Sequence, residues 1–158
     1  MKATNKGFTL IELVVVIIIL GILGAVALPK LINIQGDARA SVMQNVDGSM
    51  RATNALLYSK ASVLGRTGAN ATVTPAELGV ATNNGGNVAL RFGYALNVTN
   101  LANAMDIDTS ATGDFQIAGN NMRHRKSGTP AQCQVAYTPA TAAAAPVYTK
   151  TISSAGCK

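Results

Sequence analysis

From Phe8 to Pro29 the chain is apolar on every side, and Glu12 is the one ionisable residue between Lys6 and Lys30. Read as a helix rising ~1.5 Å per residue, Phe8 to Leu28 covers roughly 30 Å, the hydrocarbon thickness of a bilayer. From Lys30 the pattern turns amphipathic. Leu31, Ile34, Ala38, Val42, Val46, Ser49 or Met50, Thr53, Leu56 or Leu57, Ala61 and Leu64 recur every three or four residues and mark one buried face. Asn33, Asp37, Arg39, Gln44, Asp47, Arg51 and Asn54 fall on the remainder, and Gly65 with Gly68 ends the pattern. The expectation is a single helix from Phe8 to about Leu64, roughly 85 Å if straight. No small globular domain covers that length, so its first half must project into a bilayer or against other helices.

Beyond Gly65 the periodicity shortens and Thr, Asn, Gly and Ala dominate. Thr74-Pro75-Ala76-Glu77 reads as a capping box with Pro at the first helical position. Asn83-Asn84-Gly85-Gly86 reads as a turn and Val88 to Phe92 as a strand. Thr99 is placed to cap a short helix through Leu101, Ala102 and Met105. Asp114 to Ala118 and Met122 to Lys126 suggest a hairpin around Gly119-Asn120-Asn121. Gln132 to Thr138 and Val147 to Ile152 suggest a second pair joined across Pro139 to Pro146. The fold class is α+β: a small antiparallel sheet packed on the amphipathic half of the long helix.

A carboxylate inside a membrane span costs roughly 3 kcal/mol on insertion scales, so Glu12 is a functional residue by default; the plainer alternative is an anchor that tolerates an acid near its end. Met1 to Gly7 is short, polar and basic through Lys2 and Lys6, which keeps this end in the cytoplasm. A secretory signal is cut after its apolar core. Here the small residue, Gly7, precedes the core, so cutting leaves the apolar helix on the mature chain. Gly21 and Gly24 cost about 1 kcal/mol each against Ala, and Pro29 ~3 kcal/mol in a helix interior.

At this point Lys6-Gly7-Phe8-Thr9-Leu10-Ile11-Glu12-Leu13 resembles the prepilin signature of bacterial type IV pilins and of type II secretion pseudopilins. The resemblance implies a pilin fold, cleavage after Gly7 by a prepilin peptidase, N-methylation of Phe8, and an assembly role for Glu12. Gly21, Gly24 and Pro29 fall where such helices carry their breakers. They imply either a tolerated kink or a segment that loses helicity in the filament. Glu12 would pair with the Phe8 amine of a neighbouring subunit or, in a rival geometry, of its own chain.

The implied division is a leader at 1–7, a membrane or filament-core helix at 8–29, and a head at 30–158. The head comprises the amphipathic helix 30–64, a variable region 65–131 and a C-terminal region 132–158. Implied partners are other copies in a helical homopolymer, the prepilin peptidase, an inner-membrane assembly platform with its ATPase, an outer-membrane secretin, and a host or abiotic surface. The precursor would reside in the inner membrane of a Gram-negative bacterium and the product in an extracellular pilus.

Removing the leader leaves 151 of 158 residues and lowers the formal charge from +6 to +4, since Lys2 and Lys6 go with it. Trp is absent and aromatics are 4%, so a small core rich in Ala and Val is expected. Cys133 and Cys157, outside the cytoplasm, favour a disulfide. Its loop would be worth ~3.5 kcal/mol in unfolded-state entropy. Cys133 to Thr138 and Ala155-Gly156-Cys157, together with Pro29-Lys30, Asp37-Ala38-Arg39 and Gly93-Tyr94, are similar to mannose-sensitive haemagglutinin-type pilins, whose thin filaments serve surface attachment and biofilm formation. Residues 66 to 92 and 108 to 126 depart from that pattern.

Arg123, Arg125 and Lys126 flank the only His, His124, in a basic run. It reads either as a solvated edge strand or as a stripe for anionic polymers, DNA or polysaccharide, which a filament would repeat many times. Asp106, Asp108 and Asp114 raise calcium, but solvated loop acids are the simpler reading and no metal site is assigned. Asn70-Ala71-Thr72 and Asn97-Val98-Thr99 match glycosylation sequons by chance. No acid pair, His partner or phosphate-cradling glycine loop supplies catalysis, so neither an enzyme nor a cofactor is expected. The alternative function is a major pseudopilin acting as a periplasmic piston; the cysteine pair favours the pilus.

Overall fold

A computed structural model describes residues 8–79, 82 and 86–158. The leader with Gly7, and Asn83, Asn84 and Gly85 of the expected turn, lie outside the described residues, as do the side chains of Leu31 and Asn33. Contacts divide the chain into Met1–Ile34 and Gln35–Lys158. Helix α1, Leu10–Val63, begins in the first unit and ends in the second, and it stays helical across Gly21, Gly24 and Pro29.

In the second unit α1 buries Gly36, Ala40, Met43, Asp47, Met50, Asn54, Leu57 and Ala61, with Val46 beside them. The spacing alternates four and three, a seam of period 3.5. This corrects the face expected from hydropathy. Ile34, Ala38, Val42, Leu56 and Leu64 are exposed, whereas Asp47 and Asn54, assigned to the polar side, are 5% and 1% exposed. Two polar residues in the seam displaced the apparent stripe, because an apolar count skips the positions they fill.

The sheet is also two sheets rather than one. The first orders β1 (Ala71–Val73), β2 (Val88–Arg91) and β3 (Tyr94–Ala95), all antiparallel, with Ala71 opposite Leu90 and Leu90 opposite Ala95. Between β1 and β2 lies the single-turn helix α2 (Pro75–Leu78), where Thr74 and Glu77 form the expected capping box. Helix α3 (Val98–Ala104) follows β3 and corrects its expected cap. Asn97, not Thr99, is extended, and its side chain accepts from the Asn100 N–H at 2.9 Å. The second sheet is a meander of β4 (Phe115–Ala118), β5 (Asn121–His124), β6 (Cys133–Thr138) and β7 (Val147–Ile152). Its β6–β7 register runs from Cys133 opposite Ile152 to Thr138 opposite Val147.

Between α1 and the two sheets sits a core in which Ala and Val are joined by Met43, Met50, Met122, Leu57, Leu90, Leu101 and Tyr137. Unbranched Met side chains fill gaps that few aromatics are available to fill. The Asn54 amide lies within this core. Its Nδ2 donates to the Tyr148 hydroxyl at 2.6 Å and the Tyr137 hydroxyl at 3.2 Å, and its Oδ1 accepts from Ala95 N–H at 2.9 Å. The Tyr137 hydroxyl in turn donates to the Ala95 carbonyl at 2.7 Å. Burial pushes the Tyr137 phenol up to about 12, so it stays a donor at any physiological pH.

The C-terminal end is pinned to α1. Cys133 and Cys157 are bonded, and Arg39 Nη1 donates to the Cys157 carbonyl at 3.3 Å. Gly36 allows this approach, since a Cβ there would stand 2.3 Å from the Ser154 carbonyl oxygen.

Replacing Asn54 by Leu should destabilise the head by about 3 kcal/mol, the scale for stranding a buried donor and loosening two phenols. Urea unfolding followed by circular dichroism checks this, with Asn54→Asp as a variant that keeps one acceptor.

Candidate functional site

The described N-terminal segment holds Phe8, Glu12, Gly21, Gly24 and Pro29 of the residues singled out for function. Every residue from Phe8 to Pro29 is exposed, Phe8 at 85%, and the most apolar window of the helix has mean hydropathy 3.0 with none of it buried. The helix is thus long and apolar enough to cross a membrane. A contiguous apolar surface of that size marks an interaction surface.

Glu12 is not a bare carboxylate. Thr9 is the N-terminal cap of α1, and Glu12 stands three residues on. Glu12 Oε2 accepts from both the Thr9 N–H and the Thr9 hydroxyl at 2.8 Å, and the Glu12 N–H donates to Thr9 Oγ1 at 3.3 Å. This is a reciprocal capping box. The Thr-x-x-Glu spacing of Thr9-Leu10-Ile11-Glu12 is itself the local signal for this box, which the membrane-charge reading of Glu12 does not use. The box satisfies two donors at the helix start and lowers the cost of holding a carboxylate there.

At Gly21 and Gly24 an added Cβ would meet nothing within 4 Å among the described residues. Gly7 lies outside the described residues.

The basic run is placed differently from the expected edge. Strand β5 ends at His124 and is interior, paired to β4 and β6. Arg123 Nε donates to Gln134 Oε1 at 2.7 Å. Arg125 turns inward onto backbone carbonyls, those of Ser110 at 2.6 Å and of Gly113 and Phe115 at 2.9 Å. Lys126 pairs with Asp114 at 2.8 Å. Arg125 and Lys126 hold the loop before β4 while Arg123 reaches across to β6, and the three do not form one open stripe.

The neighbouring acids are similarly engaged. Asp108 Oδ1 accepts from the Ser110 N–H at 2.8 Å, and among the described residues no group of three acids, His or Cys is arranged to hold a metal ion. Of the two sequons, Asn97 is the α3 cap and Asn70 is exposed.

Once this geometry is in view, comparison with known proteins is informative over part of the chain. A family described as the prokaryotic N-terminal methylation motif matches residues 2–28. The chain is 45% identical over 51 residues to the type IV major fimbrial protein FimA of Dichelobacter nodosus, a stretch covering 32% of this chain and 33% of that protein. It is 40% identical over 63 residues to the fimbrial protein EcpC of Eikenella corrodens, covering 40% of this chain and 41% of that one. The chain therefore matches about a third to two-fifths of the length of these relatives. No solved structure matches it. What is established is a chain with an N-terminal methylation motif, similar in part to type IV fimbrial proteins, with an α+β architecture of one long helix and antiparallel sheets.

His124 gives a pH-dependent prediction. It is 6% exposed, and burial pushes its imidazole below the ordinary 6.5, with Arg39 and Lys126 acting in the same direction and Asp114 opposing. The folded chain then binds fewer protons than the unfolded one below that value, so stability is fully present above it and declines as pH falls through it. Between about pH 7.5 and about pH 5.5, His124→Gln should lose less melting temperature than the unaltered chain. Thermal unfolding at the two pH values checks this.

Proposed function

We propose that this chain is the structural subunit of a type IV pilus. It would be inserted in the inner membrane as a precursor, cut after Gly7, N-methylated at Phe8 and polymerised into an extracellular filament. The observation that carries the reading is the apolar, wholly uncovered helix from Phe8 to Leu28, with one capped carboxylate at Glu12, inside the stretch that matches the methylation motif. Such a surface needs a bilayer before assembly and other helices afterwards. The natural division is a leader at 1–7, a core helix at 8–29 and a head at 30–158.

The partners are those of a pilus: further copies of the chain, the prepilin peptidase, an inner-membrane platform with its ATPase, an outer-membrane secretin, and a surface to which the filament attaches during biofilm growth. Within pilins, the Cys133–Cys157 region and the Gly93-Tyr94 segment support the mannose-sensitive haemagglutinin type. Nothing in this role calls for catalysis. In the filament, Gly21, Gly24 and Pro29 would mark the segment that gives up helicity, so subunits could slide; continuous helical density there in a filament map would refute that part.

The test is the intact mass, reduced and non-reduced, of the chain in material sheared from the cell surface. The expected species starts at methylated Phe8 and gains two hydrogens on reduction. A processed chain confined to the cell envelope would overturn the pilus and leave the periplasmic pseudopilin.

Glu12→Ala and Glu12→Val should still be cleaved and reside in the membrane, yet assemble poorly. Sheared filament should drop about tenfold or more, the shift for a contact worth at least ~1.4 kcal/mol. Immunoblots of sheared and membrane fractions check this, and normal filament yield would remove Glu12 from assembly.

A further inference from the structure

Tyr58 of α1 and Tyr94 of β3 stack face to face, with ring centroids 4.8 Å apart and planes at 19°. At that separation the two rings are in contact. The fold holds the pair from both partners. A Cβ at position 93 would stand 2.8 Å from the Tyr58 ring, so Gly93, at φ +83°, leaves the room that ring needs. Next to Tyr94, the Ala95 N–H donates to Asn54 Oδ1 at 2.9 Å, which fixes β3 against α1. Both rings are also open to solvent. Tyr58 is 42% exposed and Tyr94 half-buried, and the two line a pair of surface grooves.

Among the described residues, the other oxidisable side chains are less open or react differently. The chain has no Trp. Cys133 and Cys157 are bonded to each other and, like Met43, Met50 and Met122, fully buried. Tyr137 is buried as well. The half-buried Tyr148 carries the Arg51 guanidinium 4.5 Å from its ring centroid, and that positive charge opposes loss of an electron from the ring. Met105 is half-buried, and a thioether takes up an oxygen atom where a phenol couples. One-electron oxidation of the head surface therefore falls on Tyr58 and Tyr94, two phenols already in contact.

We propose that Tyr58 and Tyr94 are a site of oxidative cross-linking, at which a peroxidase-class oxidant with hydrogen peroxide joins the two rings as a dityrosine. Each phenol gives up one electron and one proton, which end on the peroxide, and becomes a phenoxyl radical. The two radicals pair at ring carbons beside their oxygens and form one C–C bond. Each of those carbons then passes its hydrogen to its ring's oxygen, which restores both phenols. The chain loses two hydrogens in all, and one hydrogen peroxide is reduced to two waters. Radicals on separate chains must first diffuse together, whereas this pair is held at contact, so coupling within the chain outruns coupling between chains. The product ties α1 to β3 by a bond that thiol reductants do not break. The pair lies within the head, and the site stands whether or not the chain polymerises.

The test treats the full chain in detergent with a haem peroxidase and hydrogen peroxide. Intact mass after reduction of the disulfide, dityrosine fluorescence and a peptide map are then read. The expected product is a monomer two hydrogens lighter than the untreated, reduced chain, with the Tyr58 and Tyr94 peptides joined. Tyr58→Phe and Tyr94→Phe, each checked for folding by circular dichroism, should lower the yield of linked monomer about tenfold or more. Unfolding in urea before oxidation should do the same, because it also removes the held pair. No linked monomer under conditions that couple N-acetyltyrosine would overturn the proposal. So would a link mapped to Tyr137 or Tyr148, coupling only between chains, or an equal yield from the unfolded chain or either variant.

Discussion

The head depends on how it satisfies one residue of β3, Ala95. A two-residue strand at the edge of its sheet carries a backbone N–H and C=O that point away from its neighbour, and here they point into the core, since Ala95 is fully buried. A buried amide group left unpaired costs several kcal/mol. Asn54 from α1 takes the N–H and Tyr137 from β6 takes the C=O, while Asn54 joins Tyr137 to Tyr148 of β7. One side chain thus ties the helix to both sheets. Tyr148 of that node lies on one surface with Tyr94 and Tyr58. Among the described residues, no buried side-chain nitrogen or oxygen is left without a partner.

Sequence carried the parts of this arrangement whose cause is local. The capping box at Thr74, the strands β6 and β7, and the extent of α1 follow from spacing that two or three neighbours settle among themselves. The disulfide followed from compartment. The seam of α1 did not, because Asp47 and Asn54 enter the core only when partners from elsewhere meet them. Lys150 of β7 and Arg51 both reach Asp47, at 3.5 and 3.1 Å. Strands β1 and β3 were illegible for a related reason: three and two residues long, they exist because β2 lies between them. At the candidate site the converse happened. Thr9 and Glu12 carry a purely local capping signal, embedded in an apolar run in which the acid's charge is the more conspicuous property.

Glycines of two kinds lie along α1. Gly36 is required by its own chain, since the Ser154 carbonyl occupies the space a side chain would need. That contact, the Arg39 bond to Cys157 and the disulfide together anchor the C-terminal end against the helix. Gly21 and Gly24, and Gly48 within the head, have no such neighbour among the described residues. Each still costs about 1 kcal/mol of helix stability against Ala. Among the described residues no contact offsets that cost. A uniform lipid surround gives little reason to prefer Gly over Ala, whereas close approach of another helix does, because small residues let backbones come together.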